Sequence, residues 1–101
     1  MNPYILITPE KMAARLAERV RELRLLAGFK QATLASRAGV SLASLRRFEQ
    51  QGEASLELLL RVALALGRLD DFTEVLEPGK VQTLAELEAL HAASGRKRGR
   101  L

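Results

Sequence analysis

The segment from Gln31 to Gln50, QATLASRAGVSLASLRRFEQ, constrains the fold more than any other stretch of the chain. It predicts two short helices, over about residues 31–38 and 42–50, with a tight turn between them. Gly39 stands where the chain must turn, and a glycine takes positive φ there without the Cβ penalty. Ser41 can then cap the second helix through its hydroxyl.

The second helix of this pair has one apolar and one polar side. Leu45 and Phe48 supply contacts to a core, and the positions between them are expected to face outward. These outward positions are Leu42, Ala43, Ser44, Arg46 and Arg47. A short helix with small side chains at its front and two arginines fits a DNA major groove.

The order Gln31, Ala35, Gly39, Leu45 and Phe48 resembles the Xre/Cro-type helix-turn-helix family, the phage-repressor-like DNA-binding fold. The resemblance covers about residues 16–76, because the flanking segments LRLLAGFKQ and FEQQGEASLELLLRVALALG also follow the family order. It implies an all-α, five-helix domain. The chain departs from the family at one position, where Leu42 replaces a usually polar residue.

Four parts are expected along the chain. They are an N-terminal arm (1–8), the helix-turn-helix domain (9–77), a C-terminal helix (78–94) and a disordered basic tail (95–101). The arm contains the β-forming run Tyr4–Ile7, which either packs on the domain or pairs with its copy in a second subunit. The domain's fifth helix is predicted over residues 70–76, where Phe72, Val75 and Leu76 would close the core.

The segment over residues 55–66 is apolar on more than one side, so it should be covered from several directions. One line is assigned to the domain core: Leu56, Leu59, Leu60, Ala63 and Leu66. The second line is Leu58, Val62, Ala65 and Leu69, and either the C-terminal helix or a second subunit would cover it. The second alternative predicts a homodimer.

Charge divides the chain into three zones. Residues 1–68 hold eleven Lys/Arg and six Asp/Glu, residues 69–95 hold one and six, and residues 96–101 hold four and none. There is no cysteine and one histidine, His91, so we expect no disulfide, no metal site, no cofactor and no catalysis. No membrane span or signal peptide is predicted, which points to a cytoplasmic, nucleoid-associated protein.

Roles in DNA binding follow from side-chain chemistry. Arg47 is the first choice for a base contact, with Arg46 as the alternative, because arginine bridges guanine O6 and N7. Leu42 and Ala43 can touch thymine methyl groups, and Ser44 can bond to a base. The expected phosphate contacts are Arg24, Lys30, Gln31, Ser41 and Gln50. The family resemblance assigns that role to Gln31 and implies an ion pair between Arg24 and Glu49.

The predicted function is a sequence-specific transcriptional repressor that binds a palindromic double-stranded operator as a homodimer. The N-terminal segment and overall size also resemble HipB-like antitoxins, which pair with a HipA-like kinase toxin and repress their own operon. A stand-alone phage-type or restriction-controller repressor is the alternative. A protein-binding adaptor without a DNA function is the third hypothesis.

Overall fold

The computed structural model describes residues 6–79 and 84–100, with the side chains of Leu87 and of residues 94–100 left out. Its helices are α1 (Pro9–Leu26), α2 (Gln31–Ala38), α3 (Leu42–Gln51), α4 (Leu56–Ala65), a 3₁₀ helix (Leu69–Phe72) and α5 (Leu84–Arg100). The described residues contain no strand, which confirms the all-α prediction. The chain divides into two compact units, Met1–Asp71 and Phe72–Leu101.

The predicted N-terminal β arm falls mostly outside the described residues. Residues 1–5 are not among them, and Leu6 and Ile7 are exposed and belong to no strand.

Hydroxyl side chains start three of the four helices of the first unit. Thr8 Oγ1 accepts from the Lys11 amide at 3.1 Å, and Ser55 Oγ accepts from the Leu58 amide at 3.0 Å. Ser41 caps α3 in the same way. Each such cap stabilises its helix by about 1 kcal/mol. The exception is α2, where Lys30 occupies the cap position and its side chain makes no capping bond.

The core of the first unit is made by four helices, since α1 packs on α3 and α2 packs on both α3 and α4. Its buried members are Ala17, Val20, Leu34, Ala35, Ala38, Leu45, Phe48, Leu58 and Val62. Leu34, Leu45 and Val62 are fully buried. Burial of each leucine stabilises the fold by about 1.5–3 kcal/mol. This core lies directly behind α3 and fixes its position.

The residues of α4 that the structure buries differ from those that the sequence prediction assigned to the core. Leu58 and Val62 are buried in the core, although they were placed on the second line. Leu56 was placed in the core but is 68% exposed, and Leu64 is 63% exposed. Periodicity alone cannot orient a helix that is apolar nearly all round, because packing against the other helices decides which side turns inward.

The predicted fifth helix over residues 70–76 is wrong, because the chain forms a 3₁₀ helix at Leu69–Phe72 followed by turns. The backbone bonds here span three residues: Asp71 N to Arg68 O at 3.1 Å, and Val75 N to Phe72 O at 3.3 Å. Val75 is 58% and Leu76 is 95% exposed, so neither closes the core as predicted. Short helices in proteins are stabilised mainly by packing, and the exposed Val75 and Leu76 do not supply it here.

The C-terminal helix begins and ends later than predicted, since α5 runs from Leu84 to Arg100 and the expected segment was 78–94. The segment expected to be a disordered tail is therefore helical as far as Arg100, and residue 101 lies outside the described residues. The two glycines of α5, Gly95 and Gly99, each cost the helix about 1 kcal/mol relative to alanine, but they do not break it. Arginine and lysine are good helix formers and interact favourably with a helix C-terminus.

Candidate nucleic-acid interface

The turn between α2 and α3 has the geometry that its sequence predicts. Gly39 lies at φ 69° and ψ 34°, in the left-handed region. Its amide donates to Ser36 O at 3.2 Å, and the Val40 amide donates to Ala35 O at 3.0 Å, which closes the end of α2. Ser41 then starts α3, and its Oγ accepts from the Ser44 amide at 3.0 Å.

The buried side of α3 consists of Leu45 and Phe48, which are 0% and 2% exposed. Its outward side presents the exposed residues Ala43, Arg46, Arg47 and Gln50, with Ser44 half-buried. Leu42 differs from the sequence expectation, because it is half-buried and packs against the core cluster instead of facing fully outward. An apolar side chain at the start of α3 gains by this contact.

The expected ion pair between Arg24 and Glu49 is present and buried. Arg24 Nε lies 2.8 Å from Glu49 Oε2, and Arg24 Nη2 donates to Glu49 Oε1 at 3.0 Å. The third nitrogen, Nη1, donates to the carbonyl of Phe29 at 2.9 Å. The two side chains are 9% and 2% exposed. Arg24 is thus bonded inside the domain and ties α1 to the C-terminal part of α3.

Gly52 allows this close approach of α3 to α1. It ends α3 at φ 73°, and a Cβ there would lie 3.2 Å from the backbone carbonyl carbon of Ala13. Both the positive φ and the neighbouring backbone favour glycine at this position.

Gln31 links the buried ion pair to the surface residue Arg46 through two hydrogen bonds that the sequence did not predict. Its Nε2 donates to Glu49 Oε1 at 3.1 Å, and its Oε1 accepts from Arg46 Nε at 3.3 Å. Four side chains from α1, α2 and α3 are therefore joined in series. No sequence signal indicates these two bonds, because Gln31 lies 18 and 15 positions from its partners.

Arg47 is also paired, and its partner Glu53 was not predicted either. Arg47 Nε lies 2.9 Å from Glu53 Oε2, with the two side chains 66% and 60% exposed. Glu53 belongs to the loop between α3 and α4, so it brings a negative charge next to the outward side of α3. An ion pair this exposed contributes little to stability.

The remaining predicted phosphate contacts lie on the surface. Lys30, Ser41 and Gln50 are exposed, and Gln50 belongs to α3. The hydroxyl of Ser41 also donates to Ser44 Oγ at 2.7 Å.

Neither a metal site nor a membrane-spanning helix is found in the described part of the chain. No group of three or more acidic or histidine side chains there could hold a metal ion. None of the helices in that part has the length and apolar composition needed to span a bilayer. His91 is exposed on α5.

A family model described as Helix-turn-helix, HTH_3, matches residues 20–72. The match covers α2, the turn and α3 in full, together with the α4 segment behind them. The chain belongs to this Xre/Cro-type helix-turn-helix family, which confirms the resemblance found in the sequence. The family is a DNA-binding regulatory domain and is not a family of enzymes. No curated protein and no solved structure matches the chain.

Proposed function

We propose that the protein is a sequence-specific transcriptional repressor that inserts α3 into the major groove of its operator. One observation carries this proposal: Arg46 and Arg47 are exposed on a helix whose other side is fixed by buried Leu45 and Phe48. A rigid helix with outward arginines is what base recognition in the major groove requires.

The site residues divide into two roles. Base edges would be contacted from α3 by Leu42, Ala43, Ser44, Arg46 and Arg47. Phosphates would be contacted by Lys30, Ser41 and Gln50, whereas Arg24, which was also predicted to contact phosphate, is buried and bonded to Glu49 and Phe29. The N-terminus of α2 supports the phosphate contacts. Its first backbone amides have no side-chain cap, and such amides favour a bound anion.

A homodimer on a palindromic operator is the second part of this proposal. Two copies of α3 would read half-sites about 34 Å apart. Leu56 and Leu64 support an association of this kind, since they remain 68% and 63% exposed on α4. Self-association would remove this apolar surface from water.

The antitoxin role is a further proposal, and the same exposed leucines favour it, because they offer an apolar surface to a partner protein. The partner would be a HipA-like kinase toxin. Co-expression with such a kinase should give a stable complex that Leu56→Ser and Leu64→Ser weaken. If no complex forms while operator binding persists, the protein is a stand-alone repressor.

Selection from a randomised 20-base-pair library, followed by binding assays, tests the DNA proposal. We expect the protein to enrich one sequence and to bind it less tightly as salt rises. Arg46→Ala or Arg47→Ala should change the sequence that is enriched. Arg19→Ala, an exposed arginine on α1, is the matched control. If no sequence is enriched, the proposal is refuted, and the hypothesis of a protein-binding adaptor is favoured instead.

A further inference from the structure

The side-chain amide of Gln31 is held in one orientation by its two neighbours. Glu49 carries a carboxylate that only accepts hydrogen bonds, and it faces Nε2 of Gln31 at 3.1 Å. Arg46 carries a guanidinium that only donates, and it faces Oε1 at 3.3 Å. The reverse orientation would set acceptor against acceptor and donor against donor.

Glu49 can enforce this orientation because it is itself immobilised. Its two carboxylate oxygens accept from Nε and Nη2 of Arg24 at 2.8 and 3.0 Å, and its side chain is 2% exposed. The buried ion pair therefore fixes the position of Glu49, and Glu49 fixes the orientation of the Gln31 amide nearer the surface.

The consequence for Arg46 is a defined pose of its guanidinium. Gln31 binds Nε, and no other bond to a described residue occupies the two Nη groups, which are left for an external acceptor. Because Gln31 is neutral, the positive charge of Arg46 is not offset by its partner. Arg47, in contrast, is paired with the carboxylate of Glu53.

We infer, on the basis of the proposed DNA-binding function, that Gln31 and Glu49 are positioning residues which aim Arg46 at one base pair. Arg46 then supplies the main base readout. A bidentate contact to guanine requires two parallel N–H groups in a fixed plane, and a side chain already held in place loses less freedom on binding. Arg47, which is paired with the carboxylate of Glu53, makes the secondary base contact.

The test compares Gln31→Met with Gln51→Met. Methionine keeps the length of the side chain but removes both hydrogen bonds, while Gln51 is an exposed glutamine at the end of α3. Affinities are measured for the library-selected duplex and for a random duplex at one salt concentration. A bidentate arginine–guanine contact discriminates by about 5- to 150-fold. We expect Gln31→Met to reduce the ratio of the two affinities about tenfold, and Gln51→Met to leave the ratio unchanged.

A second measurement shows whether Gln31 acts through Arg46. In an Arg46→Ala background, Gln31→Met should produce no additional loss of discrimination, because the side chain that it positions is absent. A repeat of the selection with Gln31→Met should lose preference at the same base pair as Arg46→Ala. Thermal melting should remain near that of the wild type, since Glu49 retains both bonds from Arg24.

Two results would overturn the inference. The first is an unchanged selected sequence and affinity ratio in Gln31→Met. The second is an equal loss of affinity for both duplexes, which would make Gln31 a phosphate contact. Failure of the wild-type protein to enrich any sequence would instead refute the proposed function itself, so the two failures are distinguishable.

Discussion

Removing the acceptor from the buried ion pair should destabilise the first unit strongly. In Glu49→Met the volume is roughly kept, but Arg24 stays charged at 8% exposure and loses the partner of its Nε and Nη2 groups. Only the bond from Nη1 to the Phe29 carbonyl remains among the three. The guanidinium must then stay buried and unpaired or pull away from the core.

The expected loss follows from these contacts. Each hydrogen bond to a charged group contributes about 1.5–3 kcal/mol, so two of them amount to about 3–6 kcal/mol. Breaking a buried pair by removing one partner typically costs about 3–5 kcal/mol. A domain of this size has a free energy of unfolding of only about 4–10 kcal/mol. We therefore expect a large unfolded fraction in Glu49→Met, and a smaller loss in the double variant Arg24→Met with Glu49→Met.

Urea unfolding followed by the methyl NMR signals of Leu34 and Leu45 is the suitable assay, because both leucines are fully buried in the first unit. The four proteins of the cycle give the coupling between Arg24 and Glu49 directly. A loss below about 1 kcal/mol in Glu49→Met would refute the reasoning, since surface pairs have that magnitude. So would a double variant as unstable as the sum of the single ones.

Three further outcomes are expected. Leu34→Ala should lower the free energy of unfolding by about 2–5 kcal/mol in urea titrations, against about 0.5 kcal/mol or less for exposed Leu56→Ala. Ser41→Ala removes the cap of α3 and should cost about 1 kcal/mol, seen as a fall of about 4–8 °C in Tm. Glu53→Gln releases Arg47 and should tighten binding to random duplex DNA with a steeper salt dependence; unchanged affinity would mean that the ion pair does not restrain Arg47.

Local chemistry made much of the fold predictable. The caps at Thr8 and Ser41 and the glycine at position 39 each act within a few residues, so the sequence alone indicates where helices begin and end. The spacing of Leu45 and Phe48 likewise indicates the inner side of α3. These local signals were enough to predict the helix pair and its outward arginines.

Features that depend on distant partners were not predictable in the same way. The inner side of α4 depends on where α2 lies, so Leu58 and Leu56 exchanged places relative to the prediction. The bonds of Gln31 depend on two residues of another helix that come near only when the core has formed. The pairing of Arg47 with Glu53 likewise depends on the path of a loop.

Glu49 links the stability of the domain to the position of Arg46, and substitutions at Glu49 and at Gln31 can separate the two effects. Its bonds to Arg24 lie in the interior and hold α3 against α1, while its bond to Gln31 leads to the surface and to Arg46. Changing Glu49 must disturb both the packing of α3 on α1 and the bonds that lead to Arg46, because one carboxylate accepts from both Arg24 and Gln31. Changing Gln31 disturbs only the outer part, because both oxygens of Glu49 still accept from Arg24. Variants at position 31 are therefore expected to weaken the proposed base preference while the domain stays folded.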